Sequence, residues 1–129
     1  MERLKQRLAS ARRALATLRE LVGLDAVSPR DRDAAIQRFE YTFEAVWRAV
    51  QLHLKEREGL DAASPKSCVR ASRELGLLSD AQAEAALRMT DDRNLTSHTY
   101  NEGLAKAIYS RLATHADLLG AWLDAIEPR

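Results

Sequence analysis

Apolar residues recur at alternating spacings of four and three near the start of the chain: Leu4, Leu8, Ala11, Leu15, Leu18 and Val22. That spacing keeps them on one face of a 3.6-residue helix and predicts a helix over about residues 2–22, ended by Gly23. The stripe is narrow, like a coiled-coil seam, and suits contact inside a bundle. Ser28-Pro29-Arg30-Asp31 then has the form of a helix start, with serine as N-cap, proline in the first turn and an acid near the positive end. The helix it opens is predicted to run to about Glu58 and carries Ile36, Phe39, Phe43, Val46, Trp47, Val50 and Leu54. It also holds most of the aromatic residues, which predicts a place at the centre of the core.

Gly59 to Ala63 is a short break. Ser64-Pro65 starts a third helix, which is expected to bury Cys68, Val69 and Leu75 and to stop at Gly76. Ser79 and Gln82 have capping-box spacing and open a fourth helix, with Ala83, Ala86, Leu87 and Met89 turned inward. The last helix is predicted from about Asn101, as N-cap, to Ile126, with Leu104, Ile108, Leu112, His115, Leu119, Trp122 and Ile126 as its stripe. No strand alternation, internal repeat or dividing linker interrupts this pattern. The expectation is an all-α fold: one domain over residues 1–129, an up-and-down bundle of about five helices with short loops.

Composition changes this picture little. The 129 residues suffice for one core, and a net charge of +1 hides charges of both signs spread over solvated helix faces. Overall charge therefore does not argue for nucleic-acid binding. Cys68 is the only cysteine, so no internal disulfide or cysteine zinc cluster can form, and a reducing cytoplasm fits. The N-terminus runs directly into a charged amphipathic pattern without the apolar segment of a signal peptide, and no apolar run approaches membrane-spanning length. No membrane partner is expected.

One stretch departs from the helical pattern. Between Thr90 and Tyr100 only Leu95 is apolar, and Asp91-Asp92-Arg93-Asn94-Leu95-Thr96-Ser97-His98-Thr99-Tyr100 gathers an arginine, a histidine, a tyrosine, an amide and hydroxyls. Residues that compete for backbone hydrogen bonds crowd there, so the backbone is expected to turn and to let Arg93 and His98 converge. Spacing alone says little: sixteen Arg and three His give roughly 0.4 Arg-x4-His pairs by chance. A second such pair, Arg48 and His53, falls inside the second helix. Five residues rotate about 140° there, so those two side chains do not share a face.

The chemistry of the run suits phosphodiester cleavage. RNA carries its own nucleophile, the 2′-OH. A catalyst needs a side chain that exchanges protons near neutral pH, which is the role of His98, and a fixed cation for the charge developing on phosphate, which is the role of Arg93. Asn94, Asp92 or Ser97 could orient them. No metal or other cofactor is called for, since His53, His98 and His115 lack metal-ligand spacing. The same polar residues would equally serve to cap an interhelical turn. His115 is expected in the core or a helix seam, His53 at the surface or a seam, and Trp47 and Trp122 in the core. Arg12 and Arg13 are expected at the surface, with a lesser RNA-guiding reading, and Lys55-Glu56-Arg57-Glu58 at a solvated helix end.

Three ordered segments carry a family resemblance over most of residues 30–110. Ile36 to Glu44 with Trp47, Ser64-Pro65-Lys66-Ser67 through Arg73-Glu74-Leu75-Gly76-Leu77-Leu78, and Asp92 to Tyr100 with Glu102 resemble successive signatures of the nucleotidyltransferase substrate-binding protein family, part of the HEPN superfamily. The resemblance implies a homodimeric helical bundle and a neighbouring partner, a minimal nucleotidyltransferase acting as antitoxin. It implies an endoribonuclease toxin whose Arg93 and His98, from both subunits, line a shared cleft. Tyr100, two residues after the histidine, is implied as the acceptor of AMP from the partner, and Asn94 matches the polar residue that often follows the arginine. The run between Arg93 and His98 matches the substrate-binding subfamily more than the toxins. The alternative is a non-catalytic subunit of a nucleotidyltransferase complex that binds substrate or a nucleotide, or presents an acceptor to the nucleotidyltransferase, using the same cleft. The chain has no Gly-Ser followed by an Asp-x-Asp pair, so nucleotide transfer is not expected to be its own activity.

Overall fold

Serine N-caps and proline starts define the helices much as their chemistry demands. The computed structural model describes residues 2–128, so Met1 and Arg129, the ends of the expected domain, lie outside the described residues. Five helices follow in order: α1 (Glu2–Arg19), α2 (Pro29–Glu58), α3 (Pro65–Glu74), α4 (Asp80–Leu95) and α5 (Glu102–Ile126), with a 3-10 turn at Thr96–His98 between the last two. Ser28 accepts from the Asp31 amide, while Ser64 with Ser67 and Ser79 with Gln82 form reciprocal capping boxes. These bonds satisfy amides that a helix start otherwise leaves without partners. At the end of α2, Gly59 takes φ 66°, a left-handed conformation that costs glycine little, and its amide returns to the Leu54 carbonyl.

The all-α, up-and-down bundle is borne out. α2 is the central helix, packed on both α1 and α5, which also touch each other; α3 and α4 form a hairpin laid against α2 and α5. Phe39, Phe43, Val46 and Trp47 of α2 are buried against Leu4, Leu8, Leu15 and Leu18 of α1 and Ile108, Leu112, Leu119 and Trp122 of α5. Phe39 and Phe43 meet as a tilted pair with centroids 6.1 Å apart. Within this core the Trp122 indole N–H donates to the Ser72 hydroxyl at 3.0 Å, joining α5 to α3. Tyr109 donates to the Leu21 carbonyl at 2.7 Å and accepts from the Leu24 amide at 3.2 Å, so α5 holds the loop between α1 and α2. At Gly120 an added Cβ would come within 2.7 Å of the Arg19 guanidinium, the far end of a flexible side chain, and 3.5 Å of Leu15, an ordinary van der Waals distance.

Several local expectations shift. α1 ends at Arg19, three residues early, and Val22 is only half-buried in the following turn. α3 ends at Glu74 and Leu75 is exposed, because the chain turns at Leu75 and Gly76 and inserts Leu78 into the core instead. Leu87 and Leu104 are half-buried, whereas Met89 is fully enclosed. Trp47, Trp122 and His115 are buried as expected, and burial pushes the Cys68 thiol up to about 11, which leaves it protonated and unreactive. Arg12 is engaged by Asp124 at 2.6 Å and Glu127 at 2.9 Å, tying α1 to the end of α5 instead of standing free for RNA. No described helix is long and apolar enough to cross a membrane.

Because Phe43 is wholly enclosed where the three long helices meet, Phe43→Ala is expected to cost about 3–5 kcal/mol of unfolding free energy. Urea denaturation monitored by far-ultraviolet circular dichroism would measure it, and a loss under about 1 kcal/mol would mean that α2 is not the packing centre.

Candidate functional site

The polar run does not end α4 where apolar periodicity fails. The α-helix continues through Leu95, because the polar residues facing inward find partners. Thr90 is buried and its hydroxyl donates to the Ala86 carbonyl at 2.8 Å. Asp92 is 6% exposed, and its carboxylate takes both arms of the Arg111 guanidinium, Nε to Oδ2 and Nη2 to Oδ1, each at 2.7 Å. Nε2 of His115 lies 2.7 Å from the same Oδ2, and the His115 ring stacks on Phe39 with centroids 5.4 Å apart. Periodicity failed over this stretch because hydrogen-bonded polar side chains occupy buried positions.

Burial alone would raise the Asp92 carboxyl, but the hydrogen bonds and charges of Arg111 and His115 outweigh it and hold the group below the ordinary carboxylate value. Burial lowers His115, and Arg111 adds to that, against the pull of Asp92. His115 is therefore neutral at pH 7 and donates its Nε2–H to the carboxylate. A hollow between α4 and α5 opens over this cluster, lined also by Ala85, Arg88, Thr114 and Leu118.

Successive helical residues are about 100° apart, so fixing Asp92 toward α5 turns Arg93 to another face. Arg93 reaches α2, where its guanidinium lies 3.7 Å from Glu44. Glu44 also accepts from Arg48 Nε at 3.0 Å, and the Arg48 guanidinium lies 4.2 Å from the centre of the Trp47 ring. Burial works to raise Glu44, but the Trp47 indole, Arg48 and Arg93 together hold it below its ordinary value.

Beyond Leu95 the 3-10 turn brings out His98. Thr96 donates to the Arg93 carbonyl at 2.7 Å and Thr99 to the Thr96 carbonyl at 3.0 Å, so hydroxyls lock the corner from within. The Asn101 amide bonds the His98 carbonyl at 3.1 Å, and its side chain caps α5 through the Leu104 amide at 3.0 Å. His98 is exposed, and its Nδ1 lies 3.5 Å from the Tyr100 hydroxyl, with the rings edge to face at 72°. Tyr100 is 85% exposed.

The sequence-predicted residues thus separate. His98 and Tyr100 are brought together; Arg93 faces Glu44; Asn94 is exposed and makes no side-chain hydrogen bond among the described residues. Asp92 does not orient His98: both of its oxygens are committed to α5. Sequence reasoning missed Arg111 and Glu44. A signal existed for Arg111, since it precedes His115 by four residues and so shares its helix face. The expected separation of Arg48 and His53 holds: Arg48 joins Glu44 and Gln51, whereas His53 is half-buried with no partner for Nδ1 among the described residues. No group of three or more metal-ligating side chains is found among the described residues.

This chain belongs to the nucleotidyltransferase substrate binding protein like family, whose sequence profile matches residues 6–127. The probable ribonuclease HepT of Haemophilus influenzae is 32% identical over 82 residues, 60% of this chain and 55% of that protein, so the match spans about half the length of the curated relative. A crystal structure of a Thermus thermophilus protein is 57% identical, with a TM-score of 0.89 over 92% of this chain and 99% of that one. Two more distant structures share the fold. One, a toxin-antitoxin with AMP-PNP, is 12% identical with a TM-score of 0.72 over 96% of this chain and 97% of that one. The other is a Haemophilus influenzae protein described as having the fold of a substrate binding domain of a nucleotidyltransferase. It is 22% identical, with a TM-score of 0.64 over 97% of each chain.

Two outcomes test the Asp92 cluster. Asp92→Asn keeps the shape but loses the charge, and is expected to lower stability by about 1.5–3 kcal/mol in urea denaturation. Wild-type stability is expected to be full above pH 6.5, the ordinary value from which His115 is lowered, and to decline as pH falls because protonation favours the unfolded chain. His53, also lowered mainly by burial, adds to that slope, so His115→Gln should flatten only part of it in melting curves taken across pH 5–7.

Proposed function

We propose that this chain is a HEPN-type, metal-independent endoribonuclease toxin, silenced by a partner minimal nucleotidyltransferase that transfers AMP to Tyr100. The observation that carries the reading is the exposed His98–Tyr100 pair on a hydrogen-bonded corner one turn beyond Arg93. In this reaction His98 takes the proton of an RNA 2′-OH as that oxygen attacks the adjacent phosphorus. Arg93 leaves Glu44 to pair with the phosphate oxygens; the P–O5′ bond breaks to leave a 2′,3′-cyclic phosphate, and the departing 5′-oxygen takes a proton from water. Asn94 is free to bond the phosphate. Asp92 serves indirectly, by fixing the face of α4 from which Arg93 projects. A homodimer would face two such corners across one cleft.

Support comes from the family, the HepT relative and the shared fold with a toxin-antitoxin structure. The exposure of Tyr100 suits attack of its hydroxyl on the α-phosphorus of ATP with loss of pyrophosphate. The resulting adduct would set an anion beside His98 and within reach of Arg93.

A second reading is favoured by the Arg93–Glu44 contact and by the loss of Asp92 as an orienting group for His98. In that reading the chain is a non-catalytic subunit that binds a nucleotide or presents an acceptor to the nucleotidyltransferase. Calorimetry with the purified partner and ATP would then give binding without any nuclease activity.

Expressed without the partner, the parent should arrest growth and degrade RNA in EDTA, while His98→Ala should cut about 10²–10⁴-fold more slowly. Equal activity of the two proteins in a purified RNA assay would exclude His98 as the proton-transfer group. Tyr100→Phe should keep its nuclease activity and escape neutralisation when the partner and ATP are added, read as toxicity that co-expression no longer relieves.

A further inference from the structure

Away from the His98 corner, α1 and α2 form a groove lined by Arg3, Arg7, Arg48 and Lys55, with Asp61 as its one carboxylate. The hollow continues along α1, where Arg3 and Arg7 recur beside Gln6 and Ser10. Arg3 and Arg7 are one helical turn apart, and Arg48 and Lys55 are two, so each pair lies along one face of its helix. The far wall is the segment after α2, held in place by Gln51, whose amide donates to the Ala62 carbonyl at 2.7 Å. Among the described residues, Arg3, Arg7 and Lys55 have no carboxylate within ion-pair distance, although the chain carries nearly as many acids as bases. Elsewhere its surface arginines are mostly paired: Arg12, Arg19, Arg38 and Arg73 each meet an acid. Three cations without an ion-pair partner among the described residues, set beside Arg48 with its one acidic partner Glu44, repel one another and attract a polyanion.

We propose that this groove binds the phosphate backbone of single-stranded RNA and leads it to Arg93. Continuity rests on Glu44, which bonds Arg48 at 3.0 Å on one side and lies 3.7 Å from Arg93 on the other. A strand lying on Arg48 therefore reaches Arg93 across a single carboxylate. Arg48 is braced against Trp47, so less freedom is lost when its guanidinium meets a phosphate. From Glu44 to Lys55 the axis of α2 advances about 17 Å, a span for several phosphates and not for one mononucleotide. Trp47 is buried beneath Arg48 and offers no stacking platform, so the contact is electrostatic and sequence-tolerant. The proposal rests on the ribonuclease reading for its choice of RNA.

The test uses the intact protein and a fluorescein-labelled, fully 2′-O-methylated oligouridylate of about 16 nucleotides, which lacks the attacking hydroxyl. Anisotropy titrations at about 50–200 mM salt give the affinity and its salt slope. Arg3→Ala with Arg7→Ala is expected to weaken binding several-fold, up to about tenfold, and to flatten the slope of log K against log salt by about 1.4; Lys55→Ala should flatten it by about 0.7. Arg30→Ala, at the other end of α2, should leave both unchanged. All four side chains are exposed, and Lys55→Ala reports from a second helix should the α1 variant lose its fold. Affinity and slope equal to the parent in all variants would overturn the groove, as would intact RNA binding with loss of association to the partner nucleotidyltransferase. Groove-dependent binding without cleavage by parent or His98→Ala would leave the groove standing and remove the ribonuclease reading. Cleavage by the parent with groove variants unchanged would do the reverse.

Discussion

A single buried carboxylate organises the α4–α5 half of this molecule. Asp92 is almost wholly removed from water, yet both of its oxygens are used, by a bidentate Arg111 and by a neutral His115 that leans on Phe39. Left without those partners, a carboxylate at that depth would cost several kcal/mol. The interaction therefore fixes how α4 is rotated against α5. Because neighbouring helical positions point about 100° apart, that rotation also decides where Arg93 goes. The 3-10 turn that follows, with its threonine hydroxyls folded back on the backbone, then fixes where His98 and Tyr100 emerge.

This arrangement divides labour between adjacent residues. Asp92 faces inward and holds the helices, while Arg93 faces α2 and meets Glu44. His98 and Tyr100 face outward from the corner. The buried, fully hydrogen-bonded part of this region thus carries the exposed part. Glu44 links the corner to the basic groove between α1 and α2, so its charge is balanced by two arginines from different elements. In either proposed function, a phosphate bound by Arg93 would have to compete with Glu44.

The helices were legible along the chain because their signals are local. Serine caps at Ser28, Ser64 and Ser79, prolines at Pro29 and Pro65, and stripes of period 3.6 act within a few residues of themselves, and each gave its helix. Leu75 was misplaced because its position just past a helix end depends on how the chain turns at Gly76, and Leu78 took the core position. The polar run was found, but its conformation was misjudged. Loss of apolar periodicity looks the same whether a helix ends or whether polar side chains are buried with partners, and those partners lie nineteen and twenty-three residues away.

Sequence by itself determined the all-helical bundle, the central place of α2, and the residues that make up the His98 corner. Each of these rests on short-range chemistry: side-chain periodicity, capping hydrogen bonds, and the reactivity of histidine, arginine and tyrosine. Tertiary structure decided which of those residues face one another. Only packing of α4 on α5 turned Asp92 into an internal anchor, and only the approach of α4 to α2 set Arg93 against Glu44, the partner of Arg48. Only the pairing of α1 with α2 collected Arg3, Arg7, Arg48 and Lys55 into one groove. Side chains distant along the chain meet through helix rotation and crossing, and no local pattern encodes either.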